Sequence, residues 1–408
     1  MVETRKKRVG VLLIGVKGAI STTLIAAQIA NQVLGIDFQI PSKADPDFKD
    51  LPLLELSDMV MGGWDISAHR MSESLIHHQI VPEQYLAAIQ SQIDQCPVYP
   101  GIVVDEVPIL SKQDPNVRIK QSFESYAQMV ALLENDMIDF KAKNNLDRVV
   151  VIDLSSTSQP IMPNALHLTK SAFEEALSQP FASTQETNAI NASMLYAYAG
   201  IKQHCHLINF TPTTAFDVPA LIDFAEQQKV LLCGKDGKTG QTLYKTAIAP
   251  IFAQRGLKVN GWYSTNILGN RDGEVLNHPN NKQSKIQTKS SVLAEILGYD
   301  DFDHQVHIHY YKPRGDAKEA WDNIDIEGWF SKKMQMKINW LGWDSILAAP
   351  LVLDLIRWVC FFETFGYQGL LPQVASYFKY PIGYQKHHFF DQVAFLKESV
   401  FKHMPPKS

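Results

Sequence analysis

Val9-Gly10-Val11-Leu12-Leu13-Ile14-Gly15-Val16-Lys17-Gly18-Ala19-Ile20-Ser21 is the stretch that decides the fold. An apolar run stops at a glycine, and helical spacing follows from Ser21 to about Val33. Strand, glycine turn and helix open a nucleotide-binding α/β unit. The glycine lets the backbone turn tightly and leaves the helix N-terminal amides facing a pyrophosphate. Against the spacing G-x-G-x-x-G, Lys17 occupies the second glycine position and Ile20 the third, with Gly18 one place late. The turn Gly15, Val16, Lys17, Gly18, Ala19, Ile20, Ser21 therefore reads as a cofactor loop or as an ordinary strand–helix turn. Thr22 and Thr23 read as phosphate contacts or as helix caps.

Working outward, residues 59–63, 148–154, 206–210 and 230–233 form further strand candidates, with helical patterns over 123–143 and 189–200. The run 148–154 is almost continuous Val and Ile between polar flanks, as in a strand buried on both faces of a parallel sheet. The alternation predicts a doubly wound sheet. Asp65, after the second strand, suits either the ribose hydroxyls of a dinucleotide or a helix N-cap. Ser155 and Thr157 end another strand on the edge where such sheets bind ligands, or cap the next turn.

The pattern changes after Gly234. Residues 241–255 read as a helix despite Pro250, and 259–265, 305–311 and 334–340 alternate like strands of an antiparallel sheet with one covered face. The fold expected is α/β: a Rossmann-like doubly wound parallel sheet with an inserted α+β catalytic and oligomerisation domain. The expected boundaries are 1–234, an insertion at 235–342, and a return at 343–408. The polar segment 40–50, with Pro41 and Pro46, reads as an exposed excursion. The run 345–362 contains Pro350, Asp354 and Arg357, so it reads as a buried helix and no membrane span is expected.

A net charge of -5 over 408 residues argues against nucleic acid as a partner. The four cysteines form no CxxC pair, which fits reduced thiols in a cytoplasmic protein, and the charged first eight residues carry no signal-peptide core. His204/His206 and His307/His309 each share a strand face in this reading, but neither pair has a third ligand at a recognisable spacing, so no metal site is expected.

Function is written most densely in four clusters. They are Gly234-Lys235-Asp236-Gly237-Lys238-Thr239-Gly240-Gln241-Thr242, Asn266 to Gly273, Ser284-Lys285 to Lys289, and Lys312-Pro313-Arg314-Gly315-Asp316-Ala317-Lys318. Together they suit an anionic, many-hydroxyl ligand: ammonium groups for phosphate, amides for hydroxyls, glycines for close backbone approach. Lys285 and Lys289, four apart, share a helix face and either stay solvated or hold an anion between them. Lys318 stands where a side chain can point into a cleft, and a partly desolvated lysine among cations can act as a base or polarise a carbonyl.

These clusters, together with Trp343-Asp344-Ser345-Ile346-Leu347-Ala348-Ala349-Pro350, resemble the motifs of the myo-inositol-1-phosphate synthase family. The likeness covers most of the chain and is densest over 205–358. It departs from the family where Arg271 replaces an asparagine and where the first turn lacks the glycine-dense form. The resemblance implies NAD as cofactor and D-glucose 6-phosphate as substrate. The reaction it implies is redox-neutral: oxidation at C5, enolisation, aldol closure onto C1, and reduction. It implies that Lys285, Lys289, Lys318 and Lys386 line the developing negative charge, with Asp236 and Asp344 orienting lysines or relaying protons. It places Gly240, Gln241 and Thr242 on the phosphate, Asn266, Leu268 and Asn270 on the substrate, and Asp272 on the nicotinamide side. It also implies a homo-oligomer, a tetramer built through the second domain's sheet. Two other readings stand beside it: a related NAD-dependent cyclase or dehydrogenase for another sugar phosphate, and a non-catalytic NAD-binding scaffold.

Overall fold

The structure is a computed structural model that describes residues 8–104, 117–181, 189–269 and 292–404. Asn270, Asp272, Lys285 and Lys289 lie outside the described residues. The strands in chain order are β1 (Val9–Ile14), β2 (Met59–Asp65), β3 (Val98–Pro100), β4 (Ile102–Val103), β5 (Arg118–Ile119), β6 (Arg148–Asp153), β7 (His206–Asn209) and β8 (Leu231–Gly234). They continue with β9 (Lys258–Leu268), β10 (Asp303–Tyr310), β11 (Ala317–Glu327), β12 (Lys333–Trp343) and β13 (Gly369–Leu370). The chain divides into two compact units. One is Met1–Gly237 with Ala349–Gly383 and His403–Ser408; the other is Lys238–Ala348 with Tyr384–Lys402.

In the first unit seven strands pair in the order β13-β8-β7-β6-β1-β2-β3, and every pairing is parallel. Every residue of β1 and of β6 is buried, as their uninterrupted apolar runs require in a sheet covered on both faces. The chain moves from β1 outward to β2 and β3, then returns to the other side of β1 for β6. The switch point therefore lies between β1 and β6, the place where doubly wound sheets bind ligands. Gly63 makes the close pairing of β1 and β2 possible: a Cβ there would stand 2.0 Å from the Leu13 carbonyl oxygen.

Two segments of this unit differ from the sequence reading. Residues 40–50 are exposed along much of their length, as expected, but three side chains anchor the segment to the core. Ile40, Ser42 and Phe48 are buried, the Phe48 ring meets Trp358 edge-on at 4.9 Å, and the Ser42 amide donates to the buried Asp354 at 3.0 Å. Among the polar residues that suggested solvent, Ser42 serves a buried carboxylate, which Tyr377 also reaches at 2.5 Å. Residues 235–237 stay with the first unit, because Lys235 N donates to Tyr380 O (2.8 Å), Asp236 N to Thr211 O (2.9 Å) and Gly237 N to Phe210 O (3.0 Å).

The second unit is a four-stranded sheet, β10-β9-β11-β12, crossed on one face by the helix Gln241–Gln254. The expected antiparallel sheet is corrected on one pairing. β9 and β11 are antiparallel, as are β11 and β12, but β9 and β10 run parallel. The long connection 269–302 allows this, since a parallel pair needs a crossover of a dozen residues or more. The central strand β11 escapes the sequence reading because Asp322 takes a buried position in the row Ala320, Asp322, Ile324, Ile326. That carboxylate accepts from Trp262 Nε1 (2.8 Å), Ser264 Oγ (2.5 Å) and Gln241 Nε2 (3.0 Å), which makes its burial tolerable. Residues 384–402, placed by the sequence in the return segment, belong to this unit.

Candidate functional site

In the first unit the carboxyl ends of β1, β2 and β6 carry the turn read as a cofactor loop. Gly15 has φ +82°, and a Cβ there would lie 3.3 Å from both the Leu154 oxygen and the Ser155 Cα, so the turn needs a glycine. The amides of Gly15 and Val16 donate to Trp64 O at 2.9 and 3.0 Å, which draws the turn across the end of β2. The helix Ala19–Leu34 follows with Gly18 as N-cap and no side chain capping it. Ser21 and Thr22 turn their hydroxyls back to Gly15 O (2.8 Å) and Gly18 O (2.9 Å), and so serve the backbone.

Lys17 can occupy a glycine position because its side chain is turned away: Nζ donates to Ser67 O at 2.5 Å. Its amide donates to Asp65 Oδ2 (2.8 Å), and Ser67 N donates to Oδ1 (2.8 Å). Asp65 is therefore no helix N-cap; the next helix, Met71–His78, is capped at Arg70. Its two anchored oxygens keep lone pairs for further donors. Ser155 is tied inward, its amide and hydroxyl both donating to the fully buried Asp153 at 3.0 and 2.6 Å. Burial raises the Asp153 pKa, and Ser155's donation pulls it back. Thr157 is exposed.

Asp236 closes this unit with φ +61°, and its Oδ1 accepts from Lys379 Nζ at 2.7 Å. Its lysine is Lys379, which the sequence reading did not single out. Neighbouring Lys235 reaches Asp217 at 2.5 Å, and Asn209 organises Thr211 and Thr213 beside them.

In the second unit the helix Gln241–Gln254 begins at an uncapped Gly240. Lys318, on β11, reaches toward this start: its Nζ lies 3.8 Å from where a Gly240 Cβ would stand and 3.5 Å from Asp344 Oδ2. Thr239 Oγ1 donates to Asp344 Oδ1 at 2.9 Å, and Asp316 receives the amide and hydroxyl of Ser345, each at 3.2 Å. A helix N-terminus, a partly exposed ammonium and a carboxylate that orients it converge here, an arrangement fit for a phosphate or a developing oxyanion.

Gln241 and Asn266 were expected on the substrate, but their side chains turn inward. Asn266 Nδ2 donates to Gln241 Oε1, while Gln241 Nε2 donates to Asp322 and to Thr265 O (3.2 Å). What Gln241 and Thr242 can still offer is backbone at the helix start. Leu268 is buried. Lys386 is exposed, in the segment before the helix Phe389–Phe401.

Two buried lysines were not singled out by sequence. Burial lowers Lys238 to about 7, and its Nζ donates to Gln392 Oε1 at 2.5 Å. Burial lowers Lys245 to about 8, opposed by nearby Asp322, and its Nζ lies 2.8 Å from His304 Nε2. Lys238 stands inside the motif quoted above, yet nothing in a sequence distinguishes an enclosed amine from a solvated one. His204 precedes β7 at φ +53°, so it shares no strand face with the buried His206. Among the described residues no three His, Cys, Asp or Glu side chains group to hold a metal ion.

The family model for myo-inositol-1-phosphate synthase, an NAD-binding domain family, matches residues 33–400. The inositol-3-phosphate synthase 1 of Bacteroides thetaiotaomicron is 37% identical, over 96% of this chain and 95% of its own length. The inositol-3-phosphate synthase of Saccharomyces cerevisiae is 27% identical, over 90% and 76%. In fold, the chain is similar to the crystal structure of the Caenorhabditis elegans inositol-3-phosphate synthase, with TM-score 0.83 and 23% identity over 97% of this chain and 86% of that one. It is also similar to a myo-inositol-1-phosphate synthase-related protein from Thermotoga maritima, with TM-score 0.77 and 22% identity over 98% and 100%.

Proposed function

The chain belongs to the myo-inositol-1-phosphate synthase family, and we propose that it cyclises D-glucose 6-phosphate to 1D-myo-inositol 3-phosphate with NAD retained through the cycle. The observation that carries this reading is the group Thr239, Gly240, Lys318 and Asp344 at the start of the helix Gln241–Gln254. It joins backbone N–H groups suited to phosphate with an ammonium whose direction a carboxylate sets.

The first unit fits a dinucleotide. Gly15 lets the turn close tightly against the end of β6 at a positive φ, the helix Ala19–Leu34 begins with no side-chain cap, and Asp65 is held by two backbone amides. Gly15 to Ser21 would hold the pyrophosphate through backbone, and Asp65 the ribose hydroxyls. When bound, NAD would supply reversible hydride chemistry at C5, with no net change in oxidation state over the cycle.

Lys318 would place positive charge on the oxygen that becomes negative when a C6 proton is lost, and its neighbour Asp344 would keep it aimed. The helix start at Gly240 to Thr242 would hold the phosphate, so the reacting carbons stay fixed while the ring closes. By family likeness Lys285, Lys289 and Lys386 complete the cationic set, and Asp272 faces the nicotinamide. Asp236, bonded to Lys379, would act through that lysine.

The same reading makes the protein a cytoplasmic homotetramer. An aromatic patch on the second unit's sheet supports association: Tyr263 and Trp321 stack at 5.8 Å with Tyr263 beside His307, and all three rings reach the surface.

The test is incubation of pure protein with glucose 6-phosphate and catalytic NAD, followed by phosphorus NMR. Formation of an acid-stable inositol monophosphate, lost in Lys318→Ala with an unchanged thermal melt, is the expected result. NAD binding without turnover of glucose 6-phosphate or of a panel of sugar phosphates would overturn the reading in favour of a scaffold.

A further inference from the structure

The segment 384–388 carries Lys386, whose side chain is exposed and whose Nζ meets no acceptor among the described residues. Its placement must therefore come from its backbone. Tyr384 stacks on Phe395 at 5.0 Å, and His387 lies 3.4 Å from the half-exposed Glu295, so both anchors hold neighbouring residues. The Lys386 carbonyl itself is held from within, by Gln392 Nε2 at 2.8 Å.

Gln392 is fully buried, and its other end accepts from Lys238 Nζ at 2.5 Å. Chemistry settles which way the amide points. A carbonyl can only accept, so Nε2 must face Lys386, which leaves Oε1 to face the Lys238 amine. Lys238 is itself enclosed, with the Phe389 ring 5.7 Å away as a second, weaker partner. Lys238 directly precedes Thr239 and Gly240, which meet Asp344 and Lys318. One buried amide thus ties the turn that carries the Lys318 group to the backbone of Lys386.

The geometry points to Gln392 as a positioning residue for the reaction: bound to Lys238, it sets the backbone of Lys386 relative to the Lys318 group. This inference rests on the proposed function only for Lys386's part in the chemistry. The link itself is a property of the fold. It also accounts for residues 384–402 belonging to the second unit.

Two variants separate the two ends of the link. Gln392→Glu keeps an acceptor for Lys238 and adds a charge that favours its ammonium, so the fold is held, but it removes the N–H that binds the Lys386 carbonyl. Gln392→Leu removes both bonds. Hydrogen–deuterium exchange is read over the helix start 390–397, whose amides bond back from Gln392 N to His388 O onward, with 258–268 as internal control, together with kcat and KM for glucose 6-phosphate.

Both variants are expected to exchange at least about tenfold faster over 390–397, because the freed segment before it no longer holds the helix start, with the control unchanged. Both should lose about 10- to 100-fold in kcat, with KM within about threefold, since small misplacements cost that much in rate. Lys386→Ala combined with Gln392→Glu should be no slower than Lys386→Ala alone. Unchanged exchange in Gln392→Glu, or losses that multiply in the double variant, would overturn the inference. If the unaltered protein does not turn over glucose 6-phosphate, the proposed function fails, and the exchange result alone decides the positioning link.

Discussion

A lysine amine enclosed by Gln392 and Phe389 gives up the hydration that favours its charge, and Lys238 shows the consequence. Burial lowers its pKa from the ordinary 10.5 to about 7. Between those values the unfolded chain binds more protons than the folded one, so this residue makes stability rise with pH across that window. Below the folded value the penalty for burying the ammonium is felt in full. Lys238→Met is therefore expected to be more stable than the unaltered protein at pH 6. Its advantage should shrink by at most about 1.4 kcal/mol per pH unit above pH 7. Urea unfolding at pH 6, 8 and 9.5 measures the gap. The hydrogen bond lost to Gln392 shifts all three values together and leaves the trend intact. A gap that does not change with pH would mean that the amine keeps its ordinary pKa.

At the scale of elements, two positions show backbone geometry and polar pairing outweighing local propensity. Gly15 follows β1 in the left-handed region, and a Cβ there would stand only 3.3 Å from backbone atoms of Leu154 and Ser155. Gly15→Val meets both the positive φ and the crowding, so a loss of at least about 1–2 kcal/mol is expected. NAD titration followed by fluorescence should show weaker binding in the same variant. On β11, Asp322 receives three buried donors from β9 and the neighbouring helix. Asp322→Ala leaves Trp262 Nε1 and Ser264 Oγ unpaired, with Gln241 keeping Thr265 O, and removes a nearby anion from Lys245, so denaturant melts should show a loss of about 2–3 kcal/mol or more. A loss below about 1 kcal/mol would show that the cluster finds other acceptors. These two elements also show what the sequence conceals. Glycine spacing marked the turn at Gly15, whereas an acid in an alternating strand hid β11, because alternation is read from apolar residues.

For the whole molecule, the five inner strands of the parallel sheet were legible because strands buried on both faces need nearly continuous apolar runs, and 148–154 supplies one, whereas the short edge strands β3 and β13 were not. The second unit was less legible, since its strands alternate and its polar residues serve one another inside. Its sheet exposes Tyr263 and Trp321 as a stacked pair. An aromatic surface of this kind favours association. In sedimentation velocity the protein is expected to run well above the 45.9 kDa of one chain. Trp321→Glu should shift it toward smaller species with little change in far-ultraviolet circular dichroism. A protein that already sediments as a single chain would contradict the proposed tetramer.

By itself the sequence determined the strand–turn–helix opening, the run of parallel strands, the buried helix near the end and the family, because each is carried by local periodicity or by residues close together in the chain. Tertiary structure alone decided that β9 and β10 run parallel, that Gln241 and Asn266 turn inward to Asp322 and each other, and that residues 384–402 belong to the second unit. Each of these is settled by pairing with a residue distant in sequence. A buried polar group must find its partner wherever the fold provides one, and no local pattern records where that will be.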